Sequence, residues 1–202
     1  LFTVCMPFAV AVVAAMSRQA GGPRSLILLG AGLLALGAGS LVAVVGRVFD
    51  HDPNAVMTVH NTSVLFLAAS CFLSQARGGR DDSDDGGARS WAAILLPYGG
   101  ALLGVLCLIL ARRAGLTPLF FSPDVGPTPV RQLVLMASIT LFCLAARDSW
   151  LVHARSSGAF AFWFAVALCF LATGSLGLLF MGDMRDLVNW AGRLGHYLGC
   201  VS

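Results

Sequence analysis

The run LILLGAGLLALGAGSLVAVVGRV, at about 26–48, carries no charge before Arg47 and meets the roughly 20 apolar residues that a helix needs to cross a bilayer. In hydrocarbon every backbone N–H and C=O must be satisfied within the segment, so such a run folds as helix. Gly30, Gly32, Gly37 and Gly39 recur along it among alanines. Small residues of this kind let helices approach closely where apolar lipid gives no drive for association. The whole chain has the same character: it is 57% hydrophobic and 11% charged, with mean hydropathy +0.82. The expected fold is all-α, a polytopic membrane bundle.

Working outward, residues 2–17 (FTVCMPFAVAVVAAMS) are apolar but short for a span, which reads as a first helix lacking its opening turn. Arg18, Gly21, Gly22, Pro23 and Arg24 make a basic turn before the second span. Asp50, His51, Asp52, Pro53 and Asn54 end that span and launch a third at about 55–76. Residues 77–90 (RGGRDDSDDGGARS) are a flexible charged loop, whose flanking glycines leave the aspartates unorganised as a calcium site. A fourth span covers 91–111 and ends at Arg112-Arg113. The connection AGLTPLFFSPDVGPTPVR is interrupted by Pro118, Pro123, Pro127 and Pro129, and its Phe120 and Phe121 suit the bilayer interface. A fifth span at about 130–146 precedes a loop with Arg147, Asp148, His153 and Arg155, and a sixth lies at about 158–182. Residues 183–202 supply a seventh. Seven arginines in alternate loops stand against five in the others, which puts the N-terminus outside and the C-terminus cytoplasmic. Residues 1–202 thus read as a single transmembrane domain in the inner membrane, cut at both ends from something longer.

Charge and cysteine usage narrow the function. There is no Lys and no Glu, so thirteen Arg and ten Asp carry the charge. A retinal Schiff base is excluded by the missing lysine. Nucleic acid is not an expected partner, because the arginines are scattered over loop ends. Cys5, Cys71, Cys107, Cys143, Cys169 and Cys200 lie in or beside apolar segments without a CxxC, and are expected to be small buried hydrophobes. Asn61-Thr62-Ser63 matches a glycosylation acceptor but falls within a span. No carboxylate pair, Ser/His/Asp set, phosphate-cradling loop or HExxH is present, so an enzyme is not expected.

In residues 183–202, Asp186, Asn189, Arg193 and His196 are spaced three, four and three apart, which stacks them on one helix face. Opposite lie Trp190, Leu194, Tyr197 and Val201. Ionisable groups inside hydrocarbon cost a few kcal/mol each, so His60, Arg193 and His196 are candidates for function. His60 would lie about 8 Å in from the mouth and His196 about 15 Å. With Asn61 and Asn189 they form the candidate ligand-binding set His60, Asn61, Asn189, Arg193 and His196, facing a pocket for a small or lipidic ligand. The alternative is that they only stitch the seventh helix to its neighbours. Two imidazoles could also ligate a haem iron, although hydrogen bonding of each histidine explains them more cheaply. An absorption spectrum without a Soret band removes that class. No metal or other cofactor is expected.

The end of the chain resembles the membrane-associated sensor domain (MASE type), the seven-helix input module of bacterial histidine kinases and diguanylate cyclases. That family's closing hairpin reads roughly S-E-L-x-F-T-x-Y-x-D-x-x-x-x-x-N-x-x-G-H, and Leu176, Asp183, Asn189 and Gly192 match it without a gap. Its G-L-T-P-F-K turn is similar to Gly126-Pro-Thr-Pro-Val-Arg131, and its second helix to Leu29-Gly30 and Gly37. Where the family keeps charged groups inside the bundle, this chain has Ser40, Ala43, Val64, Leu67 and Ser175, with Arg193 at the position of a histidine. The resemblance implies a sensory input domain that signals through its last helix to a cytoplasmic module beyond Ser202. A structural or accessory subunit of a larger membrane assembly is the alternative, and a haem electron carrier a third. Besides the bilayer, the expected partners are that output module or neighbouring membrane subunits, and a second copy of the chain as a homodimer.

Overall fold

The computed structural model describes residues 2–20, 25–49, 52–78, 91–122, 126–156, 158–180 and 194–195. Among these, six helices run alternately through one bundle: α1 (Phe2–Gln19), α2 (Ser25–Phe49), α3 (Pro53–Gly78), α4 (Trp91–Arg113), α5 (Pro129–Ser156) and α6 (Ala159–Leu179). Helices α2 to α6 each hold a segment long and apolar enough to span a membrane, and α1 is a shorter apolar helix. The protein is therefore an all-α, multi-pass membrane bundle. The expected seventh helix falls outside the described residues except for Leu194 and Gly195.

Helix α2 lies between α1 and α3, α3 packs on α5, and α5 on α6, while α4 leans chiefly on α2. The α2–α3 seam shows why glycines recur in α2. A Cβ at Gly39 would land on Ser63 Oγ and sit 2.8 Å from Ser63 Cβ. Gly39→Ala is accordingly expected to cost about 1–3 kcal/mol through overpacking, read as a lower melting temperature in detergent. Gly104→Ala on α4 is the control: nothing lies within 4 Å of a Cβ there, so its melting temperature should not fall.

Besides Ala31, Ala35, Ala101 and Val105, which pack α2 against α4, two apolar clusters fill the interior. The larger joins Leu33 and Leu36 of α2, Val64, Leu67, Ala68 and Cys71 of α3, Phe142 and Ala145 of α5, and Leu168 and Leu171 of α6. The smaller sits toward the end where α3 begins, and contains Met57, Phe120, Leu135 and Leu178. That end, the mouth of the bundle, also holds the connection between α4 and α5. There Phe121–Ser122 (β1) pairs antiparallel with Gly126–Pro127 (β2).

Three expectations need correction. Helix α5 does not stop near residue 146 but continues to Ser156. Its 28 residues span about 42 Å at 1.5 Å each, so it extends past the roughly 30 Å of hydrocarbon. Solvated charges such as Arg147 and Arg155 are compatible with continued helix, and no proline intervenes. An aromatic group of Trp150, His153 and Phe162, with ring centroids 5.4–6.1 Å apart, joins α5 to α6 at that end, as expected of residues at a membrane interface. Second, Phe120 is not interfacial: it is 3% exposed, inside the smaller cluster. Third, Cys71 is buried, but Cys5, Cys107, Cys143 and Cys169 are exposed on the bundle surface. Lipid solvates a thiol's apolar body as well as a protein core does, so nothing drives these side chains inward. Cys200 lies outside the described residues.

Candidate functional site: a buried polar tier

Between the two apolar clusters each contributing helix presents a polar residue at helical spacing. On α3, Asn61 follows Met57 by four residues and precedes Val64 by three. On α5, Ser138 stands between Leu135 and Phe142, and on α6 Ser175 stands between Leu178 and Leu171. On α2, Ser40 comes one turn after Leu36. All four are essentially buried: Asn61 is 3% exposed, Ser138 and Ser175 0%, and Ser40 4%. On α3, α5 and α6 the same face is apolar, then polar, then apolar, and on α2 Ser40 follows the larger cluster's Leu36, so the polar residues form one tier across the bundle.

Two members satisfy themselves locally. Ser138 Oγ donates to Val134 O at 2.8 Å and Ser175 Oγ to Leu171 O at 2.9 Å, both back along their own helices. The others do not. Asn61 Nδ2 and Ser40 Oγ are buried and reach no hydrogen-bond acceptor among the described residues, and the same holds for Ser63 Oγ at the α2–α3 seam. An unsatisfied polar group inside a protein costs about 1–3 kcal/mol, and several in hydrocarbon. An amide so placed can donate to a small polar molecule. No group of three or more His, Cys or Asp side chains capable of holding a metal occurs among the described residues.

The mouth above the tier is fixed by polar contacts. Asp52 Oδ1 accepts from the backbone N–H groups of Asn54 and Ala55 at 2.8 and 3.3 Å, capping α3, while Oδ2 pairs with Arg112 Nη2. Asn54 Oδ1 accepts from Phe120 N at 2.8 Å and from Phe121 N at 3.1 Å, holding the connection over the smaller cluster. Arg131, 2% exposed, donates from Nη2 to Leu178 O at 2.8 Å, near the C-terminal end of α6. A cation there meets the negative end of the helix dipole.

Of the candidate residues, Asn61 enters the tier. His60 is half-buried on α3, about 100° around the helix from it. Asn189, Arg193 and His196 lie outside the described residues, so the His60–His196 pairing needed for haem is not placed. Asn54, Ser138 and Arg131 were not among the candidates. Helix α5 is apolar around most of its circumference, which leaves periodicity unable to select its inner face. The spacing of Leu135, Ser138 and Phe142 is the one signal that carries it.

The family profile of the membrane-associated sensor domain MASE3 matches residues 1–202. The chain belongs to this family. No curated protein and no solved structure matches it. The positions at which this MASE3 domain differs from the resemblance noted above, Ser40, Ala43, Val64, Leu67 and Ser175, are all buried. Two of them are members of the polar tier. At these positions the interior holds hydroxyls and aliphatic side chains around one asparagine amide.

Proposed function

We propose that this sensor domain is the input part of a signalling protein of the inner membrane, without catalytic activity of its own. The Asn61 tier takes up a small neutral polar ligand, and the segment after α6 passes the resulting change in packing to a cytoplasmic output module. The observation that supports this is Asn61 Nδ2, which is buried and reaches no acceptor among the described residues, on the helix face that meets the larger cluster. A neutral ligand suits it, because the described part of the tier contains no charged side chain. Such a ligand shifts the bundle between two packings only by its differential affinity for them, so a tenfold difference yields about 1.4 kcal/mol.

The test is to read the gene past Ser202 and to reconstitute the full-length protein in proteoliposomes. A helical linker leading to a kinase or cyclase is expected. Its activity should change at least fivefold on Asn61→Leu and much less on Ser149→Ala, a buried position whose hydroxyl bonds Ala145 O at 2.9 Å. A stop codon within a few residues of Ser202 would remove the output role and leave an accessory subunit. Equal activities would remove Asn61.

A further inference from the structure

Away from the tier, α2, α3 and α4 enclose a cleft of about 120 Å³ at the mouth end. Val42, Val45, Val56, Val59 and Ile109 give it apolar walls, and Arg112 and Arg113 stand on its lining. Helix α4 is the most exposed of the five spans, so the cleft adjoins surface that faces lipid. Arg112 and Arg113 close the last turn of that span, the level at which a lipid chain gives way to its headgroup.

The charges there are unequal. Asp52 Oδ1 is taken up by the α3 cap and Oδ2 by Arg112 Nη2. Arg112 Nε is buried and has no acceptor among the described residues, and Arg113 is exposed with no carboxylate partner among them. Among the described residues, two guanidinium groups thus stand at the cleft with one carboxylate, which only Arg112 engages. The remaining donors suit a phosphate, which guanidinium binds through paired N–H groups. The volume is slightly below the roughly 150 Å³ of an apolar cavity that holds benzene. It fits a phosphodiester with the first carbons of its glycerol, while the acyl chains remain in the bilayer along α4.

We propose that this cleft binds the headgroup of an anionic phospholipid, with Arg112 and Arg113 holding the phosphate and the valines of α2 and α3 holding the glycerol end. The proposal does not rest on the signalling role of the Asn61 tier.

Native mass spectrometry of the chain released from mixed phosphatidylglycerol and phosphatidylcholine vesicles tests it. One retained phosphatidylglycerol per chain is expected, favoured at least fivefold over phosphatidylcholine. Arg113→Gln leaves the Arg112–Asp52 pair in place and should remove most of that preference, Arg113→Lys should keep it in part, and Arg18→Gln at the opposite end should leave it unchanged. Circular dichroism checks that each variant is folded. Equal retention of both lipids, or a preference unchanged in the folded Arg113→Gln protein, would overturn the proposal. So would displacement of the lipid by millimolar glycerol 3-phosphate, which would identify a free phosphoester as the ligand.

Discussion

Asn54→Ala is expected to lower the stability of the bundle by about 2–4 kcal/mol, because one side-chain oxygen accepts two backbone N–H groups from another part of the chain. Asn54 Oδ1 takes the Phe120 and Phe121 amides, and Phe120 is the buried plug between Met57, Leu135 and Leu178. Each amide left unpaired costs about 1–3 kcal/mol, less where water reaches it from the mouth. For a domain of this size the loss corresponds to a fall of about 4–16 °C in melting temperature. Asn54→Asp keeps the acceptor and places a negative charge in the first turn of α3, where the helix dipole favours it, so most of the stability should remain. Thermal unfolding in detergent, followed by size-exclusion chromatography, separates the two variants. An alanine variant as stable as the parent would mean that the connection is held by packing alone.

Residues such as Asn54 mark where sequence and structure part. The spans were legible because lipid imposes a length and excludes charge, and residues 26–48 alone imply a helix that crosses. The proline-rich connection was legible as a break, since Pro118, Pro123, Pro127 and Pro129 forbid continuous helix. What those breaks do was not legible. Asn54 reads as turn punctuation until Phe120 and Phe121 fold back onto it from 66 and 67 residues away. Arg131 reads as a loop charge until its guanidinium reaches the end of α6. The inner face of a helix in lipid carries little signal, because apolar residues are acceptable on every side. Asn61 was visible as an ionisable residue's polar neighbour in a span, yet its tier appears only when the registers of α3, α5 and α6 are aligned by the clusters on either side.

Asn61→Leu is expected to have the opposite sign from Asn54→Ala. The two side chains are close in size, and leucine removes a buried Nδ2 that reaches no acceptor among the described residues, so the bundle should gain about 1–3 kcal/mol. Asn61→Ala should gain less, since the cavity it leaves offsets part of the benefit. The contrast with the neighbouring serines is informative. Ser138→Ala removes a hydroxyl already bonded to Val134 O, and should change stability by less than about 1 kcal/mol. A gain on Asn61→Leu, measured as a higher melting temperature in detergent, would mean that the amide is kept at a cost to folding. Natural proteins accept such costs where a site is needed. A loss would mean that Asn61 has a partner in the bundle and stitches α3 to its neighbours. The sign of one substitution therefore distinguishes a binding group from a structural one, and it does so without knowledge of the ligand. If the stabilised variant also fixes the output of the full-length protein in one state, the amide that destabilises the resting bundle is the group through which the signal enters.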